Sequence, residues 1–140
     1  MSTGLDIFDT TLDKTNHLLK EIETEMGWEG RRNQSYSALR SVLHALRDRL
    51  PLEESIHFSA QLPLLLKGVY FDGWNPEALP IKMNKDEFLM YVGNQFKFEV
   101  EGGIENMVQK VSMIMFETID PGEANKIISA LPSDIAEIFC

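Results

Sequence analysis

The sequence predicts an all-α protein, built as two similar helical bundles of about four helices each, formed by an internal repeat and packed as one unit. Apolar residues recur every three or four positions through most of the chain, which is the spacing of one helix face. Prolines and glycines separate these stretches, as helix stops and turns do. The apolar pattern of residues 42–70 also recurs, without a gap, in residues 111–139.

The first half, residues 1–70, begins with two long helices. An apolar residue at every fourth position predicts a helix over residues 9–26, and Gly27 ends it because glycine tolerates the left-handed conformation of a helix end. The second helix, residues 35–50, has a continuous apolar face. It stops at Pro51, whose ring clashes with a continuing helix.

Two shorter helices follow, and a linker then leads to the second half. The third helix covers residues 52–61, and Pro63 opens the fourth, which ends at residue 70, because proline fits the first turn of a helix. Residues 71–84 contain one glycine and two prolines, which indicate irregular chain. The apolar side chains in this linker predict that it packs against the helices.

The second half, residues 85–140, repeats this order. Its helices are predicted over residues 85–98, 104–119, 121–130 and 132–139. Residues 96–101 alternate between apolar and polar, as a strand does, but a lone strand has no partner here. We therefore interpret them as a helix end and a loop closed by two glycines.

The repeat depends on aligned pairs of residues 69 positions apart. Four pairs are identical, namely Val42 and Val111, Glu54 and Glu123, Leu62 and Leu131, and Pro63 and Pro132. Along the apolar stripe of each helix, similar residues are paired, for example Leu46 with Met115 and Leu66 with Ile135. A unit of this length exceeds the usual solenoid repeat, so the pattern favours a pair of bundles related by a pseudo-twofold axis.

The net charge of −9 is unevenly distributed. Residues 1–70 carry 8 Lys and Arg against 10 Asp and Glu, giving −2, whereas residues 71–140 carry 5 against 12, giving −7. An acidic surface repels phosphate groups, so we expect no nucleic-acid partner and no attachment to an anionic membrane. No apolar run is long enough to span a bilayer.

The cysteine content and the first residues indicate a compartment. The single cysteine, Cys140, cannot form an internal disulfide, which is typical of a reducing compartment. The first residues lack the basic stretch and long apolar run of a signal peptide. The sequence therefore predicts a cytoplasmic protein.

Several segments together resemble one known family. They are residues 36–50 (YSALRSVLHALRDRL), residues 60–63 (AQLP) and the Gly-Trp steps at residues 27–28 and 73–74. With these segments, nearly the whole chain resembles the bacterial domain-of-unknown-function family number 2267. The resemblance implies a soluble, all-helical bacterial protein, and it supplies no activity and no catalytic residues.

The sequence contains no strong catalytic, cofactor or metal motif. Asp13, His17 and Glu21 lie four residues apart and could chelate a divalent metal, but a solvated polar face explains them better because a site needs ligands from a second element. Cys140 lies where chains tend to fray. We therefore expect no catalytic residue, no cofactor and no metal, and hence a protein that is not an enzyme.

The second helix carries a local excess of positive charge. Residues 31–50 contain five arginines and a single acidic residue. Tyr36, Arg40, His44 and Arg47 fall on one face of this helix. This face could bind an acidic partner, either the second half of the same chain or a neighbouring molecule. Alternatively, it is a solvated face whose charges pair along the helix.

These observations favour a non-catalytic interaction module or adaptor, which binds another protein or a second copy of itself as a homodimer. The alternative is a sensor or carrier of a small ligand held between the two repeats, where a cleft can form. The methionines of the second half, Met107, Met113 and Met115, resemble an adaptable binding surface. Their helical spacing favours a place in the core instead.

Overall fold

The computed structural model describes residues 2–140. Within them the regular structure is entirely helical, as predicted. The α-helices are α1 Asp6–Met26, α2 Arg32–Arg49, α3 Leu52–Ser59, α4 Leu64–Phe71, α5 Lys85–Gln95, α6 Ile104–Glu117, α7 Pro121–Ser129 and α8 Ser133–Ala136. Short 3-10 helices cover Pro76–Ala78 and Glu137–Phe139. Residues 96–103 form an irregular loop and no strand, but α5 ends at Gln95, so the predicted helix over residues 85–98 is three residues too long.

The predicted stops end the helices because of their backbone preferences. Gly27 has φ 72°, a left-handed conformation that favours glycine, and the chain turns there after α1. Leu50, just before Pro51, is extended, and α2 ends at this step. The start of α5 is capped by Asn84, whose Oδ1 accepts a hydrogen bond from the Glu87 N–H at 2.8 Å.

The long helix α2 lies at the centre of the molecule. It packs against α1, α3, α4, α5 and α6, so that residues 41–48 are buried without interruption. Four of its apolar side chains, Leu39, Val42, Leu43 and Leu46, are fully buried. A helix that is surrounded on all sides must also bury its polar residues, and these need partners inside the protein.

The two halves share one core. The first-half helix α1 packs against α6, and the second-half helix α5 packs against α2. Trp28, at the end of α1, stacks on Phe96 with 5.8 Å between the ring centroids. Two separate bundles are therefore not confirmed, because the central bundle takes two helices from each half.

The predicted linker lies against this bundle. Met83 is buried, and Trp74 and Leu79 are half-buried. The Ile81 N–H donates a hydrogen bond to the Asp48 carbonyl of α2 at 2.8 Å. The division into residues 1–70, 71–84 and 85–140 stays a prediction, because the shared core does not separate these units.

Candidate functional site

The structure divides the predicted docking face on α2. Tyr36 is 40 % exposed and the Arg40 side chain 34 % exposed, whereas His44 and Arg47 are only 4 % and 5 % exposed. The prediction that all four form one accessible face is corrected in this respect. His44 and Arg47 lie in the stretch of α2 that is buried on all sides, so a second protein cannot reach them.

Arg47 binds groups of its own chain. Its Nε and Nη2 donate to the two carboxylate oxygens of Asp48, at 2.8 and 3.1 Å. Its Nη1 donates to the backbone carbonyls of Tyr70 and Asp72, at 3.1 and 2.8 Å. These carbonyls lie at the end of α4, where the helix leaves them unpaired and its last turn contains no basic residue. Arg47 therefore caps α4 with a positive charge, which the helix dipole favours.

His44 supplies a second cap for the same helix. Its Nε2 lies 2.7 Å from the Val69 carbonyl oxygen, to which it donates as the N–H tautomer. Arg40 lies further out along the same face and approaches the Asp72 carboxylate at 3.6 Å. The basic face of α2 thus holds α4 of its own half, a role that the sequence does not predict.

Asp48 extends these contacts to the second half. The Tyr91 hydroxyl of α5 donates to Asp48 Oδ2. On the other side, Ser55 of α3 bonds to the Arg47 carbonyl at 3.3 Å and to the Tyr70 hydroxyl at 2.5 Å. We call this set the α2 polar network, and its members are His44, Arg47, Asp48, Ser55, Tyr70 and Tyr91.

The burial of the network shifts the pKa values of its members. Burial lowers the His44 pKa, and the hydrogen bond to Val69 opposes it only in part. Burial alone would lower the Arg47 pKa, but the hydrogen bond and charge of Asp48 outweigh it and raise that pKa. Burial, followed by the bond to Asp48, raises the pKa of Tyr91 to about 12. The network therefore has a neutral histidine, a permanent cation and protonated tyrosines near pH 7.

A different surface carries a large apolar depression. We call it the α6–α7 cleft, and its volume is 590 Å³. The residues that line it are Gln109, Met113, Phe116, Glu117, Ile119, Pro121, Ala124, Asn125, Ile128, Phe139 and Cys140. Most of these are apolar, and the cleft is open to solvent. Its volume falls in the range of ~300–1,000 Å³ that is usual for binding pockets.

Met113 and Cys140 are the most informative of these residues. Met113 is 54 % exposed, although Met107 and Met115 are fully buried. The expectation that all three methionines belong to the core is therefore wrong for Met113. The Cys140 thiol is exposed and lies 3.4 Å from the Ala136 carbonyl oxygen.

A second, polar depression of 440 Å³ adjoins this cleft. It is lined by His17, Lys20, Glu21, Thr24 and Glu25 of α1 and by Lys110, Met113, Ile114 and Glu117 of α6. It therefore lies between the two halves and shares Met113 and Glu117 with the α6–α7 cleft. His17 pairs with Glu21 at 2.5 Å, and within residues 2–140 no group of three metal-ligating side chains is arranged to hold an ion.

All but the last two lining residues of these surfaces lie in a region that matches a known family. Residues 15–138 match the model of the family described as uncharacterized conserved protein, DUF2267. The chain belongs to this family. The resemblance of the sequence to DUF2267 is thereby confirmed, and a comparison with curated proteins finds no match. In the described part of this DUF2267 chain, no helix combines the length and the apolar character needed to cross a membrane.

The α2 residues can be recognised from the sequence, whereas the α6–α7 cleft cannot. The sequence predicts His44 and Arg47 as part of a face for a partner, and the structure shows them as caps for α4. The α6–α7 cleft of this DUF2267 chain was not predicted. One signal was present, since Met113 lies off the apolar face that Met107, Val111 and Ile114 share, and an apolar residue on the wrong face of a helix points outward.

Proposed function

We propose that this DUF2267 protein is a non-catalytic interaction module that binds another protein through the α6–α7 cleft. The observation that carries the proposal is an open, mostly apolar cleft with Met113 exposed at its edge. When a partner covers an apolar depression, the complex is stabilised in proportion to the apolar area removed from water. Flexible methionine side chains adapt to the surface that they contact.

The proposal that the protein is not an enzyme has its own support. Active sites usually contain titratable groups with displaced pKa values that face a cleft. Here the groups with displaced values belong to the buried α2 polar network, where each is bonded to its own chain. The ionisable groups that line the α6–α7 cleft are Glu117 and Cys140.

The accessible part of the predicted docking face is kept as a secondary contact. Tyr36 and Arg40 lie near the surface of α2, and Arg40 makes only a long contact with Asp72. We propose that they take part in binding only when the partner is acidic. We also propose that the protein acts in the cytoplasm, because a single cysteine suits a reducing compartment, and that its source is a bacterium, as the family resemblance implies.

We further infer that the two halves are copies of one helical plan. Two features support this. Helices α3 and α7 begin at residues 52 and 121, and helices α4 and α8 begin at residues 64 and 133, a shift of 69 in each case. The packing of α1 on α6 is matched by that of its counterpart α5 on α2. An experimental structure in which residues 42–70 do not superpose on residues 111–139 would refute this inference.

Affinity capture from the source cells, with two matched variants, tests the proposed function. Ile128→Glu puts a charge into the cleft, and Met90→Glu puts the same charge on the exposed face of α5. We expect one defined partner with the unmodified protein and with Met90→Glu, and none with Ile128→Glu. Equal recovery by all three proteins, or a protein that stays without any partner, would refute the proposal. If the partner is a second copy of the chain, the complex has twice the mass.

The small-ligand alternative is supported by the polar depression between α1 and α6. Side chains of both halves converge there, including Lys20, Lys110 and Glu117, as expected for a site between two repeats. Native mass spectrometry of the protein purified from its own cells distinguishes the two functions. A tightly bound small molecule that Lys110→Ala releases, with no protein partner, would favour the carrier over the interaction module.

A further inference from the structure

We propose that the partner presents a basic amphipathic helix to the α6–α7 cleft. This inference rests on the proposed function, because it assumes that the cleft is the interaction surface. It adds the secondary structure and the charge of the segment that binds there.

The scarcity of polar groups in the cleft favours a helical occupant. An extended segment would bring its own N–H and C=O groups into the cleft, where each needs a hydrogen-bond partner. The polar side chains available are Gln109, Glu117 and Asn125, together with the weakly bonding Cys140 thiol. Extended peptides usually solve this by pairing with a strand edge, and residues 2–140 contain no strand. A helix satisfies its backbone internally and needs only an apolar surface.

The shape of the cleft agrees with a helical occupant. Its walls are α6 and α7, and Phe139 and Cys140 also line it. The lining residues of α6 lie between 109 and 117 and those of α7 between 121 and 128, which at 1.5 Å per residue is about 12 and 11 Å of each helix. A surface of this length matches about two turns of a bound helix whose apolar residues recur at helical spacing.

The charge around the cleft favours a basic occupant. Residues 109–140, which supply every lining residue, carry five acidic and two basic side chains, a net charge of −3. Glu117 lines the cleft itself, and Asp120 and Glu123 flank the lining residue Pro121 at the start of α7.

The acidic residues nearest the cleft also lack partners of their own. Among residues 2–140, no ion pair engages Glu117, Asp120 or Glu123. By contrast, Lys85 pairs with Glu105 at 3.3 Å and approaches Glu137 at 4.0 Å. The carboxylates beside the cleft are thus not neutralised by a direct ion pair within the described residues, and the net charge of the region stays negative.

The adjoining polar depression does not reverse this charge. Its two lysines, Lys20 and Lys110, are outnumbered by Glu21, Glu25 and Glu117. A helix that extends from the α6–α7 cleft across Met113 therefore remains in a negative field. Lysine and arginine on the polar face of such a helix would form ion pairs at the edge of the interface, where they favour correct partners and speed association.

Three synthetic peptides of about 18 residues, long enough to become helical on binding, test the inference. All three have leucine on one helix face. The remaining positions are lysine in the first peptide and glutamate in the second, and the third is the lysine peptide with two prolines at its centre. Binding is measured by amide shifts in NMR spectra and by protection of Cys140, the single thiol of the chain, from alkylation.

We expect the lysine peptide to protect Cys140 and to bind about tenfold more tightly than the glutamate peptide, since each exposed ion pair contributes roughly twofold. This preference shrinks as salt is added. The proline peptide does not bind. The double variant Glu117→Lys with Glu123→Lys removes the preference, whereas Glu99→Lys with Glu101→Lys, an equal charge change in the loop before α6, retains it.

Equal binding of the lysine and glutamate peptides would overturn the assignment of charge. Equal binding of the proline peptide would overturn the assignment of a helix, and no protection of Cys140 by any peptide would overturn both. These results remain distinct from failure of the proposed function. If the cellular partner is lost with Ile128→Glu while the lysine peptide fails to bind, the cleft is the interaction surface and its occupant has another chemistry.

Discussion

Replacing Arg47 with methionine tests the role of the α2 polar network directly. The arginine makes two hydrogen bonds to the Asp48 carboxylate and two to the carbonyls that end α4, and both members of the pair are buried. Methionine keeps most of the apolar volume of the arginine side chain but removes its charge and these four hydrogen bonds. Asp48 is then left as a buried carboxylate whose remaining side-chain donor is Tyr91.

The expected loss is large because one partner of a buried ion pair is removed. Breaking such a pair destabilises a protein by roughly 3–5 kcal/mol, since an uncompensated charge stays in the interior. A domain of this size is stable by roughly 5–15 kcal/mol, so Arg47→Met should fold but unfold at a much lower urea concentration. The double variant Arg47→Met with Asp48→Asn removes both charges. We expect it to lose less than the sum of the two single variants.

Urea unfolding followed by circular dichroism measures these losses, and each variant is compared with Arg31→Met. Arg31 is an exposed residue of the same type just before α2, so its replacement should change the free energy of unfolding by less than about 0.5 kcal/mol. The coupling between Arg47 and Asp48 should be about 1–3 kcal/mol. A loss below about 1 kcal/mol for Arg47→Met, or additive effects in the double variant, would refute the reasoning.

Three further predictions concern pH and local structure. Burial holds the pKa of His44 below its ordinary value, so the unfolded chain protonates this histidine at a higher pH than the folded chain does. The free energy of unfolding should therefore fall as the pH drops below about 6.5. In urea titrations, His44→Gln, whose amide can still donate to Val69, should reduce this fall, whereas His57→Gln at an exposed position should not. The same dependence on pH in both variants would contradict the prediction. Asn84→Ala removes the cap of α5 and should cost about 1 kcal/mol in the same assay, and Asn84→Asp should restore it. Gly27→Ala forces a side chain into the left-handed region at φ 72° and should lower the free energy of unfolding by roughly 1–2 kcal/mol; no loss would show that the turn after α1 rearranges freely.

The positions of the helices could be predicted because their signals are local. Gly27 and Pro51 act through their own backbone preferences, and helical spacing needs only neighbouring residues. The helix α2 begins at Arg32, three residues before the predicted start at residue 35. The guanidinium of Arg32 donates to the buried Glu23 carboxylate of α1. A contact between two helices leaves no signal in the sequence of either helix alone.

The role of α2 could not be predicted for a related reason. His44, Arg47 and Asp48 are polar, and polar residues on a helix normally face solvent. They are buried because α4, α5 and the linker all pack on the same stretch, and this depends on the arrangement of the whole chain. The interpretation of a docking face recognised the charge correctly but not the helix that it binds.

The α6–α7 cleft depends on tertiary structure even more strongly. Its lining residues come from α6, α7 and the last residues of the chain, which are adjacent only after folding. The internal repeat gives no indication of it, because the residues aligned with Met113 and Phe116 are His44 and Arg47, which are buried. The exposed Met113 was the single local sign.

Amide chemical-shift mapping with the partner captured from the source cells tests the central claim most directly. The account predicts that the largest shifts fall on residues 109–128 and 139–140, the segments that line the α6–α7 cleft. Shifts concentrated on α1 and α4, with the cleft residues unchanged, would contradict it.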